Sequence, residues 1–468
     1  MSKGSRLMGT TVILLVGTVG TKLINFIMLP FLTAWLSVEE YGSVDIFLTV
    51  ISMVVPIATL QLEQAVFRFL IDDRTAEEKR CTVSSGVICL GLLLLALTIG
   101  TGIYFLLWGD PVYLLYVAAI VLHAIFVMAQ QIVRGEGKNR DYTLSSILYA
   151  FLVMGLAALF IRGFGLGFYG YIYGYLTATA VCILHLLLAG KCGSLIRFSA
   201  VQFDKLKRML KYSGPMILNN ISWWVLNASD KLVINVFLGT AANGIFAAAG
   251  KIPGLITSVY SVFHMAWMES ASREQDQDGL EDFYSGVFRS LLAVISFGVI
   301  AILLTGEILF PILINERYSE AFSHIPILLL GLFFLCMAQF YGGIYVGLHR
   351  SSELGWTSAA AAVVNLTVDL ILIHFAGLYA ASISTLTAYF AIFLIRCILT
   401  RRVVKICYDP GQLLLTALCM TAALMGCYLL SAPLQLLLLA AISGIYLWIF
   451  RDILKDMARM VLHRVKKK

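Results

Sequence analysis

Of the 468 residues 60% are hydrophobic and only 13% charged, and the mean hydropathy is +0.89. No soluble domain covers so much apolar surface with so few polar groups, so the chain reads as an all-α, polytopic membrane protein. The net charge of +7 carries no nucleic-acid signal, because its placement along the chain holds the information.

Apolar windows of about 20 residues, the length that crosses a bilayer as helix, fall at 8–35, 44–70, 81–108, 112–133, 142–161, 168–189, 213–238, 243–270, 283–309, 326–348, 354–375, 378–399, 412–430 and 434–450. They predict about fourteen transmembrane helices. The first follows MSKGSR with no small-residue cleavage pattern, so it is expected to be a span and not a removable signal. With the N-terminus inside, 26 of the 34 Lys and Arg fall in inner connections and the two ends, six fall within spans, and only Arg162 and Arg317 fall outside. That asymmetry predicts that both termini are cytoplasmic. The nine cysteines show no metal-ligand spacing and none lies in an outer segment, which argues against a disulfide framework.

The stretch Lys191–Pro215 divides the chain. It holds Lys191, Arg197, Lys205, Lys207, Arg208 and Lys211, with Phe203, Leu206 and Leu210 at helical spacing. This pattern predicts an amphipathic helix lying on an anionic leaflet, with acidic phospholipids as partners. The basic tail VLHRVKKK suits the same headgroups. The apolar sequences on either side of the divide repeat. At an offset of 202, Asn25, Leu36 and Gly42 fall on Asn227, Leu238 and Gly244; at 209, the MAQ at 128–130 falls on that at 337–339; at 210, the LTA at 176–178 falls on that at 386–388. The expected layout is an N-lobe of six helices (1–190), a basic linker (191–212), a second six-helix lobe (213–400), and a C-terminal helix pair with the tail (401–468). Such parallel halves place a transport site between them near the midplane.

Charged groups inside spans are costly and face cavities or partners. In the first span Thr18, Lys22 and Asn25 share a face, and Lys22 lies too deep to snorkel. In the second, Gln61, Gln64 and Arg68 share a face, with Glu63 about 100° away and Pro56 breaking the turn above. The seventh aligns Asn220, Trp223, Asn227 and Asp230, with Lys231 on the next face. The eighth sets Lys251 in a stripe of small residues (Ala247, Gly254, Ser258, Ser261), with Pro253 loosening the helix beside it. Asp230, Asp369 and Glu63 are the acids expected to couple transport to protons, sodium or the membrane potential, since a buried carboxyl titrates upward; Glu307 is a further intramembrane acid. The tyrosines at 169, 171, 173 and 175 read as an interfacial belt. Neither a phosphate-binding loop, a metal motif nor a Ser/His/Asp context is present, so no catalytic residue, metal or cofactor is expected.

The stretches KLINFIMLPFLTAWLSVEEYGSVDIF at 22–47, RGEGKNRDY at 134–142, FDKLKRMLKYSGPMI at 203–217 and ERYSEAFSHIPILLLG at 316–331, taken in order, resemble the polysaccharide and oligosaccharide-lipid flippases of the multidrug/oligosaccharidyl-lipid/polysaccharide exporter superfamily. The resemblance implies two six-helix lobes around a cavity lined by spans 1, 2, 7 and 8, which opens alternately to either side. It implies as cargo a polyprenyl-diphosphate-linked glycan, and as neighbours other polysaccharide-assembly membrane proteins. The cations of those spans, Lys22, Arg68, Lys231 and Lys251, suit a diphosphate, with Asn25, Gln61, Gln64, Asn220 and Asn227 as polar cavity contacts. The resemblance also implies that the extra helix pair lines a groove for the lipid tail. Rival readings are a lipid II flippase, a multidrug exporter of the same fold, and, in another class, a membrane polymerase or glycosyltransferase. Short loops speak against the last.

Overall fold

A computed structural model of the chain describes residues 20–109, 111–273, 279–348 and 350–451, apart from positions 22 and 25. Before the basic segment come α1 (Leu29–Trp35), α2 (Val38–Ala58), α3 (Leu62–Asp72), α4 (Ala76–Trp108), α5 (Val112–Gly135), α6 (Asn139–Ala158, continued by a π turn at Leu159–Gly163) and α7 (Gly167–Leu188). After it come α8 (Phe203–Phe237), α9 (Thr240–Ala249), α10 (Lys251–Arg273), α11 (Leu280–Leu313), α12 (Ile325–Gly347), α13 (Ser351–Ala376), α14 (Tyr379–Thr400), α15 (Pro410–Leu429) and α16 (Ala432–Ile449). Among the described residues there is no strand, and eleven helices are long and apolar enough to cross a membrane, or twelve if α9 and α10, bent by 46° at Gly250, form one span.

Polar punctuation sets several helix ends. Ser37 and Glu40 form a capping box at the start of α2, and Thr75 with Glu78 form another at the start of α4. The second apolar window, expected as one helix, is two. Leu60 and Gln61 adopt left-handed backbone, at φ 51° and 54°, between α2 and α3. Pro56 leaves its turn one donor short, and at the break itself the Gln61 N–H donates to the Pro56 carbonyl, at 3.2 Å, and to Thr59 Oγ1, at 3.3 Å. A break inside a membrane persists only where its backbone groups are satisfied in this way.

The chain forms two compact units, Met1–Gly244 and Ile245–Lys468. In the first, α7 lies close on α6 because Gly170 and Gly174 face the backbone of Ile161 and Ala157, where no side chain fits. Phe47 of α2 meets Tyr116 and Tyr175 edge-on, at 5.1 and 5.3 Å between ring centroids, and Tyr175 Oη lies 2.9 Å from His123 Nδ1. The tyrosine belt therefore needs correcting. Tyr171 and Tyr175, one turn apart, are buried in the core, and only Tyr169 and Tyr173 face outward. A helix of 3.6 residues per turn cannot present four alternate residues to one surface.

In the second unit α12 is the central helix, buried along nearly its whole length. Trp267 and Tyr260 fasten α10 to it, donating to the carbonyls of Phe340 and Cys336 at 2.9 Å each. Arg396 of α14 is 1% exposed and spreads its guanidinium over the Ala338 and Leu354 carbonyls and the Thr357 and Ser358 hydroxyls, at 2.9 to 3.3 Å. The C-terminal pair packs on α11 through Gln435, which donates to Glu307 at 3.1 Å, and Tyr446, which donates to Ser296 at 2.9 Å.

The basic linker is not a separate amphipathic helix. Its start forms two 3-10 turns, Cys192–Leu195 and Phe198–Ala200, and its remainder is the first part of α8, which runs on unbroken past Pro215. Nor is the expected apolar face the buried one. Lys205, Met209 and Ser213 turn inward, while Phe203 is exposed and Leu206 and Leu210 are half-buried. A buried acid decides this orientation, because Lys205 Nζ lies 2.5 Å from Asp73 Oδ1. The long helix α8, expected to open the second lobe, packs with the first unit.

Candidate functional site

Gly42 of α2 and Gly244 of α9 stand 202 positions apart, as do Val38 and Thr240. A Cβ on Gly42 would collide with the Thr240 carbonyl, and one on Gly244 with the Val38 carbonyl. The two helices thus cross reciprocally, each glycine against the carbonyl four residues before the other. A second pair of matching contacts lies at the basic side. The chain leaving α7 docks on α4 when the Arg197 N–H donates to Ser84 Oγ at 2.8 Å, and the chain leaving α14 docks on α11 when the Cys407 N–H donates to Ser285 Oγ at 2.9 Å.

Beside the glycine crossing, Lys231 Nζ lies 2.9 Å from Asp45 Oδ1, and Asn243 Nδ2 donates to the Gly42 carbonyl at 3.0 Å and reaches Asp45 Oδ2 at 3.4 Å. Asp45 is nearly covered and Lys231 is half-buried, with side-chain exposures of 7% and 28%. Lys231, expected to meet a diphosphate, is therefore held by a carboxylate. Arg68 is also paired, with Asp72 one turn on at 2.7 Å, and both are exposed. Lys251 differs. It is exposed at the first turn of α10, directly after the Gly250 bend, and has no ion-pair partner among the described residues. Lys22 and Asn25 lie outside the described residues.

Of the polar positions, Asn220 is exposed and lines a cavity of about 390 Å³ between α2 and α8, with Ser52, Pro56, Trp223 and Trp224. Asn227 turns back on its own helix, donating to the Trp223 carbonyl at 2.7 Å. Gln61 is buried in the break after α2, and Gln64 is half-buried one turn into α3. Glu63 faces the interior of the first unit, where its Oε2 meets no hydrogen-bond donor among the described residues. Asp230, Asn365 and Asp369 are buried. The hydroxyls of the α10 stripe bond locally: Ser258 donates to the Gly254 carbonyl at 2.8 Å and Ser261 to the Ser258 carbonyl at 2.7 Å.

Sequence reasoning passed over Asp45, Asn243 and Arg396. The signal for Asp45 was present as an acid one residue inside an apolar window. Two spans are interrupted, α2 with α3 at Leu60–Gln61 and α9 with α10 at Gly250.

These features define a multi-pass helical membrane protein with the fold of the flippases and multidrug exporters. A lipid II flippase, MurJ, in an inward closed conformation matches with a TM-score of 0.73 at 13% identity, over 96% of this chain and all of the other. An inward-facing multidrug resistance MATE transporter of the MOP superfamily matches at 0.65 and 16%, over 83% and 94% of the two chains. An outward-facing MATE transporter matches at 0.56 and 16%, over 84% and 93%. No curated protein sequence matches. The family model described as polysaccharide biosynthesis protein matches residues 7–268, more than half of the chain, and the chain belongs to that family. The solved structures it resembles are those of a lipid II flippase and of multidrug transporters.

Proposed function

We propose that the protein carries a polyprenyl-diphosphate-linked oligosaccharide from the inner to the outer leaflet of a bacterial cytoplasmic membrane by alternating access, for surface polysaccharide synthesis. The observation that carries this reading is Lys251, a cation left exposed and unpaired, among the described residues, at the bend of a discontinuous span. An uncompensated ammonium on a membrane span attracts an anion. Lys22, from the first repeat, is its proposed partner on the diphosphate, while Asn220 and Gln64 meet sugar or phosphate oxygens. Lys231 and Arg68, already paired, take secondary parts. The crossing of Gly42 with Gly244, tied by Asp45 and Lys231, is the closure that opens to release cargo.

The test is binding of polyprenyl diphosphate to the purified protein in nanodiscs, across a salt series, by wild type and by Lys22→Ala and Lys251→Ala. The expected result is salt-sensitive binding by wild type that both variants lose. Binding by both variants at wild-type affinity would remove the diphosphate assignment. Preference for a cationic dye over the diphosphate would give the multidrug-exporter reading its place, and displacement by lipid II alone the lipid II reading.

A further inference from the structure

The basic segment ahead of α8 shows an arrangement that transport does not require. Phe198 and Phe203 are 83% and 77% exposed, on a stretch whose backbone is firmly held. Ser84 and Ser85, on α4, accept from the N–H groups of Arg197 and Gln202, at 2.8 and 3.1 Å. Lys205, paired with Asp73, and Met209, fully buried, pin the first turns of α8 from the inside. Phe203, Lys207 and Lys211 follow at i, i+4 and i+8 on the opposite, exposed side, and Arg197 and Arg208 are exposed nearby. Two bare aromatic rings and a row of cations with no ion-pair partner among the described residues are thus presented together by a rigid mount.

We infer that this surface seats on acidic phospholipid of the leaflet at the protein's basic side, the cytoplasmic one by its charge distribution. Phe198 and Phe203 enter the boundary between headgroups and acyl chains, where aromatic rings are favoured. Arg197, Lys207 and Lys211 take the phosphates above them, each strengthening attachment to an anionic surface about fivefold. Charge complementarity selects acidic over zwitterionic lipid. The attachment bears on the rest of the molecule because α8 is continuous: Lys211 and Lys231 lie on one helix, about 30 Å apart along its axis. The lipid-seated end and the Asp45–Lys231 pair are therefore two ends of one rod. This inference stands apart from the identity of the cargo.

The test places an environment-sensitive fluorescent amino acid at position 203 of the full-length protein, in nanodiscs of phosphatidylglycerol or of phosphatidylcholine, with lipids brominated at shallow acyl positions as quenchers. In phosphatidylglycerol the emission shifts to the blue and is quenched, and Arg197→Gln, Lys207→Gln and Lys211→Gln together reverse both effects. These three exposed positions leave the mount intact, which an unchanged melting temperature of the triple variant checks. Equal quenching in both lipids would overturn selection of acidic lipid. An unshifted, unquenched probe in both would overturn the seating itself and leave the surface to a protein partner.

Discussion

Removing Lys231 tests the reasoning most directly, because the structure makes its effect asymmetric. Breaking a fully buried ion pair from one side costs about 3–5 kcal/mol, and breaking an exposed one about 0–1. Here Asp45 is 7% exposed and Lys231 28%. Lys231→Met strands the more deeply buried charge, with Asn243 as its remaining donor in reach, so the expected loss is about 2 kcal/mol, near thirtyfold in the folded-to-unfolded ratio. Asp45→Asn strands a lysine that reaches water and should cost about 1 kcal/mol. With both changes no charge is stranded, and the double variant should return to within about 1 kcal/mol of wild type, a coupling of about 2 kcal/mol. Equilibrium unfolding in bicelles, followed by tryptophan fluorescence, measures all four corners of this cycle. A double variant that loses the sum, about 3 kcal/mol, or an Asp45→Asn loss larger than that of Lys231→Met, would refute the pairing and its burial order.

Gly42→Ala and Gly244→Ala should each destabilise by about 1–3 kcal/mol through overpacking against a carbonyl, and by similar amounts because the contacts are reciprocal; monodispersity on size-exclusion chromatography with heating reads both. Arg396→Lys keeps the charge and loses the fork. A lysine cannot serve four acceptors at once in that geometry, so two or more stay unpaired and stability falls by about 3 kcal/mol, seen as a lower melting temperature with transport preserved below it. Asp369→Asn should leave diphosphate binding unchanged and remove the response of transport to an imposed proton or sodium gradient in proteoliposomes; an undiminished response would free Asp369 of a coupling role.

Much of the fold is legible in composition, because in a membrane the backbone has no alternative to helix and an apolar window is its own signal. The windows fail where the signal is conformational. Nothing in LQ at 60–61 marks two left-handed residues, since neither is Gly or Asn and only Pro56 hints at a weak turn. Pairing is equally hidden. Lys231 in sequence is one more intramembrane cation, and its partner lies 186 positions away. The face of α8 was misjudged for the same reason: hydrophobicity points Leu206 and Leu210 inward, but one ion pair from Lys205 to Asp73 turns the helix so that a charged residue is buried and Phe203 is not.

The reciprocal crossing gives the two interrupted spans a common logic. Each begins at the crossing: α2 is pinned there at Val38 and Gly42, and α9 at Thr240 and Gly244. Each is then interrupted further along, α2 at Thr59–Gln61 and α9 at Gly250. A helix pinned near one end and broken beyond it can swing only past the break, because the close approach of carbonyls to glycines leaves the pinned turns no room to slide. The part past the first break carries Glu63 and Arg68, and the part past the second begins with Lys251. Lys251, without an ion-pair partner among the described residues, therefore follows directly on the second break, whereas the paired Lys231 sits beside the crossing, held by Asp45.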